Sequence, residues 1–193
     1  MGKVILDITM SLDGFIAGPN ISSELPLGEG GLRLHDWIFG AKTDTDSMIL
    51  QELTESSGAV ILGRRTYDDA IEDAWGGVSP FQVPAFVVSG EEPEHGKGGS
   101  SFIFVTDGIE SAIRQAQAVA GDKNVWVMGG ANLAQQYIEA GLLDEMQIHV
   151  APVLFCEGTP LFQYIGIDRI ELESTRVLET PGAIHLRYRV VKP

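Results

Sequence analysis

Two stretches of this chain combine glycine, hydroxyl and cationic side chains in the order that an anion-binding turn needs. Gly63-Arg64-Arg65-Thr66 follows a wholly apolar run, Gly58 to Gly63, and leads into a segment of helical character from Thr66 to Asp73. A strand that ends at a helix start presents unpaired N–H groups, and anionic ligands collect there in open α/β sheets. Gly63 lets a phosphate approach the backbone, Thr66 can cap the helix, and two guanidinium groups can clasp phosphate oxygens in bidentate fashion. A glycine-ended strand with two solvated arginines has the same spacing, but in a chain of net charge −14 a paired arginine here favours the phosphate. Met128-Gly129-Gly130-Ala131-Asn132-Leu133 repeats the strand-to-helix junction with two glycines, so a diphosphate could lie against the amides of the helix start. It lacks the full Gly-x-Gly-x-x-Gly dinucleotide fingerprint, and a glycine pair serving only a tight turn would read the same.

Candidate acid–base groups are fewer. Asp46, beside Asp44, is placed either for catalysis or for stabilising a helix N-terminus. Asp36 and Trp37 offer a carboxylate next to a ring that either stacks on a flat heterocycle or anchors its loop. His149 can donate a hydrogen bond, relay a proton, or sit satisfied in a sheet. His35, His95 and His185 have no partner visible in sequence. The single cysteine, Cys156, cannot form an intramolecular disulfide and has no basic neighbour to activate it. No Cys/His cluster has zinc-site spacing, so no metal is expected.

The elements that must position these groups alternate. Lys3 to Met10 is a strand closed by the turn Ser11-Leu12-Asp13-Gly14, and Pro19 to Gly40 is a long loop, of the kind that is often functional. A helix capped by Asp44 or Thr45 runs to Ser56, followed by the buried strand 58–63, a strand from Val83 to Ser89, a polar Gly-rich loop from Glu91 to Ser100, and a strand from Phe102 to Thr106. Gly108 to Ala120 is a helix, Asn124 to Met128 a strand, Gly130 to Gly141 a helix and Asp144 to Ala151 a strand. Arg169 to Leu178 and Ile184 to Val191 form an antiparallel hairpin around Thr180-Pro-Gly-Ala183. The pattern predicts one α/β domain over 1–193: a single mixed, mostly parallel sheet, helices on both faces, and an antiparallel C-terminal hairpin.

Composition narrows the function. Of 193 residues, 13 are Lys or Arg and 27 Asp or Glu, a balance that repels phosphate backbones and anionic lipids and disfavours nucleic-acid and membrane-surface partners. No apolar run approaches the roughly 20 residues of a bilayer span, and the chain is expected to be cytoplasmic.

Five motifs in register resemble the dihydrofolate reductase-like superfamily, and most closely its branch similar to the reductase domain of riboflavin biosynthesis. They are Ser-Leu-Asp-Gly-Phe-Ile-Ala (11–17), Ile-Leu-Gly-Arg-Arg-Thr-Tyr (61–67), Val-Val-Ser (87–89), Val-Met-Gly-Gly-Ala-Asn-Leu (127–133), and Leu-Leu-Asp-Glu (142–145) leading to Ala-Pro-Val-Leu-Phe-Cys-Glu-Gly-Thr-Pro-Leu-Phe (151–162). The resemblance implies an NADPH site. Arg64 with Arg65 would hold the 2′-phosphate, Thr66 would lie at the diphosphate next to Gly63, and Ser89 would flank the adenosine. Met128, Gly129, Gly130, Ala131, Asn132 and Leu133 would carry the diphosphate and ribose, and Thr9, Ile16 and Ala17 would line the nicotinamide pocket. It also implies that Asp46 falls near the acidic residue with which true dihydrofolate reductases bind the pterin ring, and that His149 faces the substrate cavity. Members of the branch are often homodimers.

The leading expectation is an NADPH-dependent reductase that passes hydride to a small, pterin- or pyrimidine-like substrate, bound near Asp36 and Trp37, with the proton from Asp46, His149 or water. The alternative is a non-catalytic NADP(H)-binding module or sensor on the same fold; a ligand-free structural dimer would make the arginine pair and both glycine junctions coincidental. No deaminase domain with zinc ligands precedes the motifs in this sequence, so a bifunctional riboflavin enzyme is not expected.

Overall fold

In the computed structural model, which describes residues 2–71, 74–91, 102–163, 166 and 169–192, the first apolar run forms β1 (Val4–Ser11). There follow β2 (Phe15–Ala17), a 3-10 turn (Gly31–His35), α1 (Asp36–Phe39), α2 (Asp44–Ser56), β3 (Ser57–Gly63), α3 (Arg64–Ala70), β4 (Ala85–Val88) and β5 (Phe102–Val105). The second half comprises α4 (Ile109–Ala120), β6 (Asn124–Gly129), α5 (Ala131–Glu139), β7 (Glu145–Ala151), β8 (Thr159–Pro160), β9 (Leu172–Glu179) and β10 (Ile184–Val190). The expected end of the helix at Glu72 and Asp73, His95 and most of the polar loop after Glu91 lie outside the described residues.

Eight strands form one sheet in the order β5-β4-β3-β6-β1-β7-β10-β9. The first six run parallel, while β10 lies antiparallel to both β7 and β9, as the alternating pattern and the terminal hairpin predict. Alternation along the strands decides which face each side chain serves. Ala59 and Ile61 of β3 pack with Ala112 and Ala116 of α4 and Leu133 and Tyr137 of α5, whereas Val60 and Leu62 pack with Tyr67 and Ile71 at α3. Both faces are therefore covered, and each large aliphatic or aromatic side chain so buried contributes about 1.5–3 kcal/mol. At Gly58 any Cβ would lie 2.7 Å from Ala120 Cα, because the end of α4 crosses β3 there.

Four expectations need adjustment. The cap of α2 is Thr43, not Asp44 or Thr45: the Thr43 hydroxyl accepts from the Asp46 amide at 3.2 Å, and the Asp46 carboxylate accepts from the Thr43 amide at 2.8 Å. This reciprocal box satisfies two orphan amides, more than Asp44 or Thr45 could do alone. Thr66 is not a cap, since α3 already begins at Arg64 with Gly63 before it and its hydroxyl serves another chain segment. The loop over 19–40 is anchored by Leu34 and Trp37, both almost wholly buried, with short helical turns at its end. Finally, β2 pairs with β8 in a separate two-stranded sheet, too short to show in the sequence pattern.

Candidate functional site

The C-terminal ends of β1, β3 and β6 open onto a groove walled by glycine. A Cβ added at Gly63 would lie 3.7 Å from the Gly129 carbonyl oxygen and from Leu133 Cβ, and one at Gly130 would lie 3.5 Å from Thr66 Oγ1 and 3.8 Å from Ile16 Cδ1. Those are ordinary contacts, whereas a Cβ at Gly129 would press to 3.0 Å on Ile8 Cδ1, so Gly129 alone of the three is required by close approach. The Gly129–Gly130 peptide bond is cis and Gly129 has φ +114°, a left-handed value that favours glycine. Thr66 Oγ1 accepts from the Gly130 amide at 3.0 Å and ties the two glycine junctions together.

Gly63, Thr66, Gly129, Gly130, Ile16 and Leu133 are thus brought to one place, with Ala17 buried on the same short strand as Ile16 and Ala131 buried in the first turn of α5. Arg64 sits at the edge, its Nε donating to both Asp68 oxygens at 2.9 and 2.8 Å and its Nη1 to Ser89 Oγ at 3.3 Å. Arg65 is freer: its side chain is 59% exposed and its nearest carboxylate, Asp69, is 3.9 Å away. Burial and the neighbouring Asp68 raise the Asp69 carboxyl, with Arg65 opposing them. Asn132 is exposed and accepts from Gln136, and Met128 is half-buried on the opposite face, against the α3 cluster.

Asp46 and His149 lie elsewhere, beneath the 19–40 loop. His149 Nε2 is 3.1 Å from Asp7 Oδ2, His149 Nδ1 is 2.7 Å from His185 Nδ1, and His185 Nε2 is 3.0 Å from Asp46 Oδ1. The sheet register explains the meeting, since Thr9, His149 and His185 are direct neighbours across β1, β7 and β10. Trp37 closes the string from above: its ring lies 4.4 Å from His149 and 4.9 Å from His185, and its Nε1 donates to Thr9 Oγ1 at 3.0 Å. Trp37 is therefore committed to these partners here, and Asp36 forms an ion pair with Arg33 on the surface.

Burial acts to raise the Asp46 carboxyl, but the Thr43 hydroxyl and amide, the Thr180 hydroxyl and His185 outweigh it and hold it below the ordinary carboxylate value. Burial, and then the charge of His149, hold His185 below the usual histidine value, with Asp46 and Asp7 pulling the other way. Three contacts in series use three protons, and two neutral imidazoles supply two. While both rings are neutral, one of the three contacts is therefore short of a proton, and the 2.7 Å approach of the two Nδ1 atoms has room for one N–H between them. Asp7 and His185 were not legible as site residues, and the one signal was an acid inside the apolar run Val-Ile-Leu-Asp-Ile-Thr-Met (4–10). Among the described residues no group of three or more His, Cys, Asp or Glu is arranged to hold a metal ion.

Comparison with known proteins agrees with this architecture. The family model described as RibD C-terminal domain matches residues 2–186. The uncharacterized protein YyaP of Bacillus subtilis is 28% identical over 200 residues, covering 96% of this chain and 94% of its own. A crystal structure of a Shewanella sp. PV-4 protein assigned to riboflavin biosynthesis superposes with TM-score 0.77 at 22% identity, covering 98% of this chain and 99% of that one. RibD of Acinetobacter baumannii superposes with TM-score 0.63 at 20% identity, covering all of this chain and 59% of that one. At such identities the two structures speak to the fold alone.

Proposed function

The chain belongs to the RibD C-terminal domain family, and from that premise we propose that it is an NADPH-dependent reductase acting on a small, pterin- or pyrimidine-like substrate. The observation that carries the reading is the glycine-walled groove at the strand ends, with Thr66 bridging its two junctions and two arginines at its rim. The same family context holds for RibD of Corynebacterium ammoniagenes, a riboflavin biosynthesis protein 26% identical over 160 residues.

The residues present fit a dinucleotide phosphate. No side chain caps the start of α5, so its first amides after Gly130, whose own N–H goes to Thr66, are available to a diphosphate. Arg65, and Arg64 once its hold on Asp68 is shared, supply the cationic pair for a 2′-phosphate, with Ser89 already tied to Arg64. Ile16 and Ala17 give an uncharged wall, and Thr9 stands at the C-terminal half of β1. Bound NADPH would supply a hydride. The chain's own part is to hold the cofactor and substrate in register and to exclude water, and rate enhancement from such positioning can be large. Asp46, saturated by Thr43, Thr180 and His185, serves as an anchor and not as the group that meets the substrate.

That saturation is the observation that favours the second reading, an NADP(H)-binding module without chemistry. The deciding experiment is a thermal-shift titration with NADPH and NADH in parallel, followed by a screen of small imines, carbonyls and pterins for NADPH oxidation. A rise in melting temperature with NADPH and turnover of one compound class supports the reductase. A rise without turnover of any class favours the module, and no rise with either cofactor overturns both.

Two further parts of this reading concern surroundings. No helix among the described residues is long and apolar enough to cross a membrane, in keeping with the cytoplasmic location we propose. The edge strand β9 exposes Leu172 and Val177, and Ile184 of β10 is exposed beside it, so a second copy of the chain is the cover we propose; sedimentation should then give a homodimer.

A further inference from the structure

The buried string has one end that is closed and one that is not. Asp46 is 1% exposed and both its oxygens are engaged: Oδ2 accepts from the Thr43 amide at 2.8 Å and hydroxyl at 2.7 Å, and Oδ1 faces His185. His149 and His185 are 1% and 4% exposed, and each ring nitrogen has a partner. Asp7 is 8% exposed, its Oδ2 faces His149, and its Oδ1 has no hydrogen-bond partner among the described residues while keeping access to solvent. Trp37 covers the two histidines and Thr9 but stacks on nothing at Asp7.

A carboxylate in the middle of a central parallel strand is costly unless it is paired, and here the pairing engages only one oxygen. Asp7 and Thr9 are alternate residues of β1 and so share a sheet face, with Gln147 opposite Asp7 on β7. The string fixes the orientation of Asp7 from behind through the His149 N–H and leaves a directed lone-pair edge in front.

We infer that Asp7 is the ligand-facing carboxylate of this site, positioned by His149, His185 and Asp46, and that it takes a planar N–H donor or amidine-like cation in preference to an anion. The inference rests on the reductase reading for the idea that the ligand is the substrate. Donation of two N–H groups to a fixed carboxylate is directional and charge-assisted, which suits a ring nitrogen with an adjacent amino group. A carboxylate or phosphate at the same place would face the free Asp7 oxygen with no donor to bridge the two.

The groups that face the string from the surrounding elements are few. They are Glu145 with Arg187 and Lys3, further along β7, β10 and the start of β1; Glu52 of α2 with Arg176 of β9; and, at the end of the 3-10 turn, His35, beside which Asp36 turns to Arg33 on the surface. Arg33 engages Asp36, Arg176 engages Glu52, and Arg187 and Lys3 both engage Glu145, so each of these carboxylates has a cationic partner.

The experiment compares benzamidine with benzoate, two probes of the same shape and opposite charge, by calorimetry on the whole chain with and without NADPH. The expected result is binding of benzamidine and none of benzoate, with a loss of at least tenfold in Asp7→Asn, which can still accept from His149 through its amide oxygen. Benzamidine affinity should also fall as pH drops below about 6.5 and His185, which burial holds neutral, is driven to take a proton, and His185→Gln should flatten that profile, a response that a purely structural aspartate would not give. Equal binding of the two probes by the unaltered protein overturns the inference, as does unchanged affinity in a cooperatively melting Asp7→Asn protein. If NADPH raises the melting temperature while benzamidine fails to bind, the inference falls alone; if benzamidine binding depends on Asp7 and NADPH has no effect, the cofactor reading falls and the Asp7 assignment stands.

Discussion

The groove at the ends of β3 and β6 and the histidine string under Trp37 lie in the same sheet and are built on opposite plans. The groove is made of absences: Gly63, Gly129 and Gly130 withhold side chains, and Arg65 keeps more than half of its surface in water. The string is made of commitments, since every ring nitrogen of His149 and His185 and both oxygens of Asp46 are taken up by one another, by Asp7, or by Thr43 and Thr180. One region leaves backbone bare and its cations loosely held; the other is closed except for a single free edge at Asp7. A fold that binds and reacts needs both, because a ligand held at an open groove is only as well aligned as the rigid surface beside it.

The sharpest way to break the contrast is to remove one member from each region. His149→Ala should strand the Asp7 carboxylate and a ring nitrogen of His185 in the interior, at a loss of about 3–4 kcal/mol of stability, typical of breaking a buried pair. Urea unfolding followed by circular dichroism would show this as a lower midpoint at unchanged slope; a midpoint within error of the unaltered protein would mean that the string carries no stability. Gly130→Val should do the converse. Its Cβ finds ordinary contacts at 3.5 Å and φ of −73° suits any residue, so the fold should persist, while the γ-methyls fill the groove and weaken NADPH and NADH alike by about a hundredfold, or some 3 kcal/mol. Cofactor affinity retained in a folded Gly130→Val protein would remove the groove from the binding site.

The same contrast explains what the sequence made legible. The groove's residues come in two short runs, 63–66 and 128–133, each at a strand-to-helix junction whose apolar strand and periodic helix are visible by pattern. The sheet, its parallel order up to β7 and the terminal hairpin follow from the same periodicities. The string comes from positions 7, 46, 149 and 185, on four elements, and only the lateral register of β1, β7 and β10 makes neighbours of them. Asp46 was visible as a helix-opening acid, but its capping box with Thr43 and its tie to His185 depend on where α2 lands on the sheet. Trp37 likewise reads in sequence as a loop residue beside an acid, and its burial against two histidines is a tertiary fact.

Charge at the groove's rim tests a finer difference, between its two arginines. Arg64 already holds Asp68 with its Nε and reaches Ser89, while Arg65 is held only loosely at 3.9 Å. Arg65→Ala and Arg64→Ala should each weaken NADPH more than NADH, by about tenfold in the ratio for Arg65→Ala, since one bidentate phosphate contact is worth about 1.4 kcal/mol. Parallel titrations of the two cofactors measure the ratio, and equal losses would sink the 2′-phosphate role for that arginine.

The smallest effect separates the two regions by pH. Burial and the charge on His149 place the folded His185 below its unfolded value of 6.5. Between those two values the unfolded chain binds the proton that the folded chain refuses, so stability rises with pH across that window and falls as pH drops below about 6.5. Asp46 acts in the same direction further down: its folded carboxyl lies below 3.8, so its contribution is present above that value and is lost as pH falls through the folded one. The unaltered protein should therefore show a melting temperature that declines from pH 7 to pH 5, and His185→Gln should show a shallower decline at a lower starting point. Groove variants such as Gly130→Val leave the string intact and should keep the full slope; a slope that changes with Gly130 and not with His185 would place the titration in the groove and erase the division between the two regions.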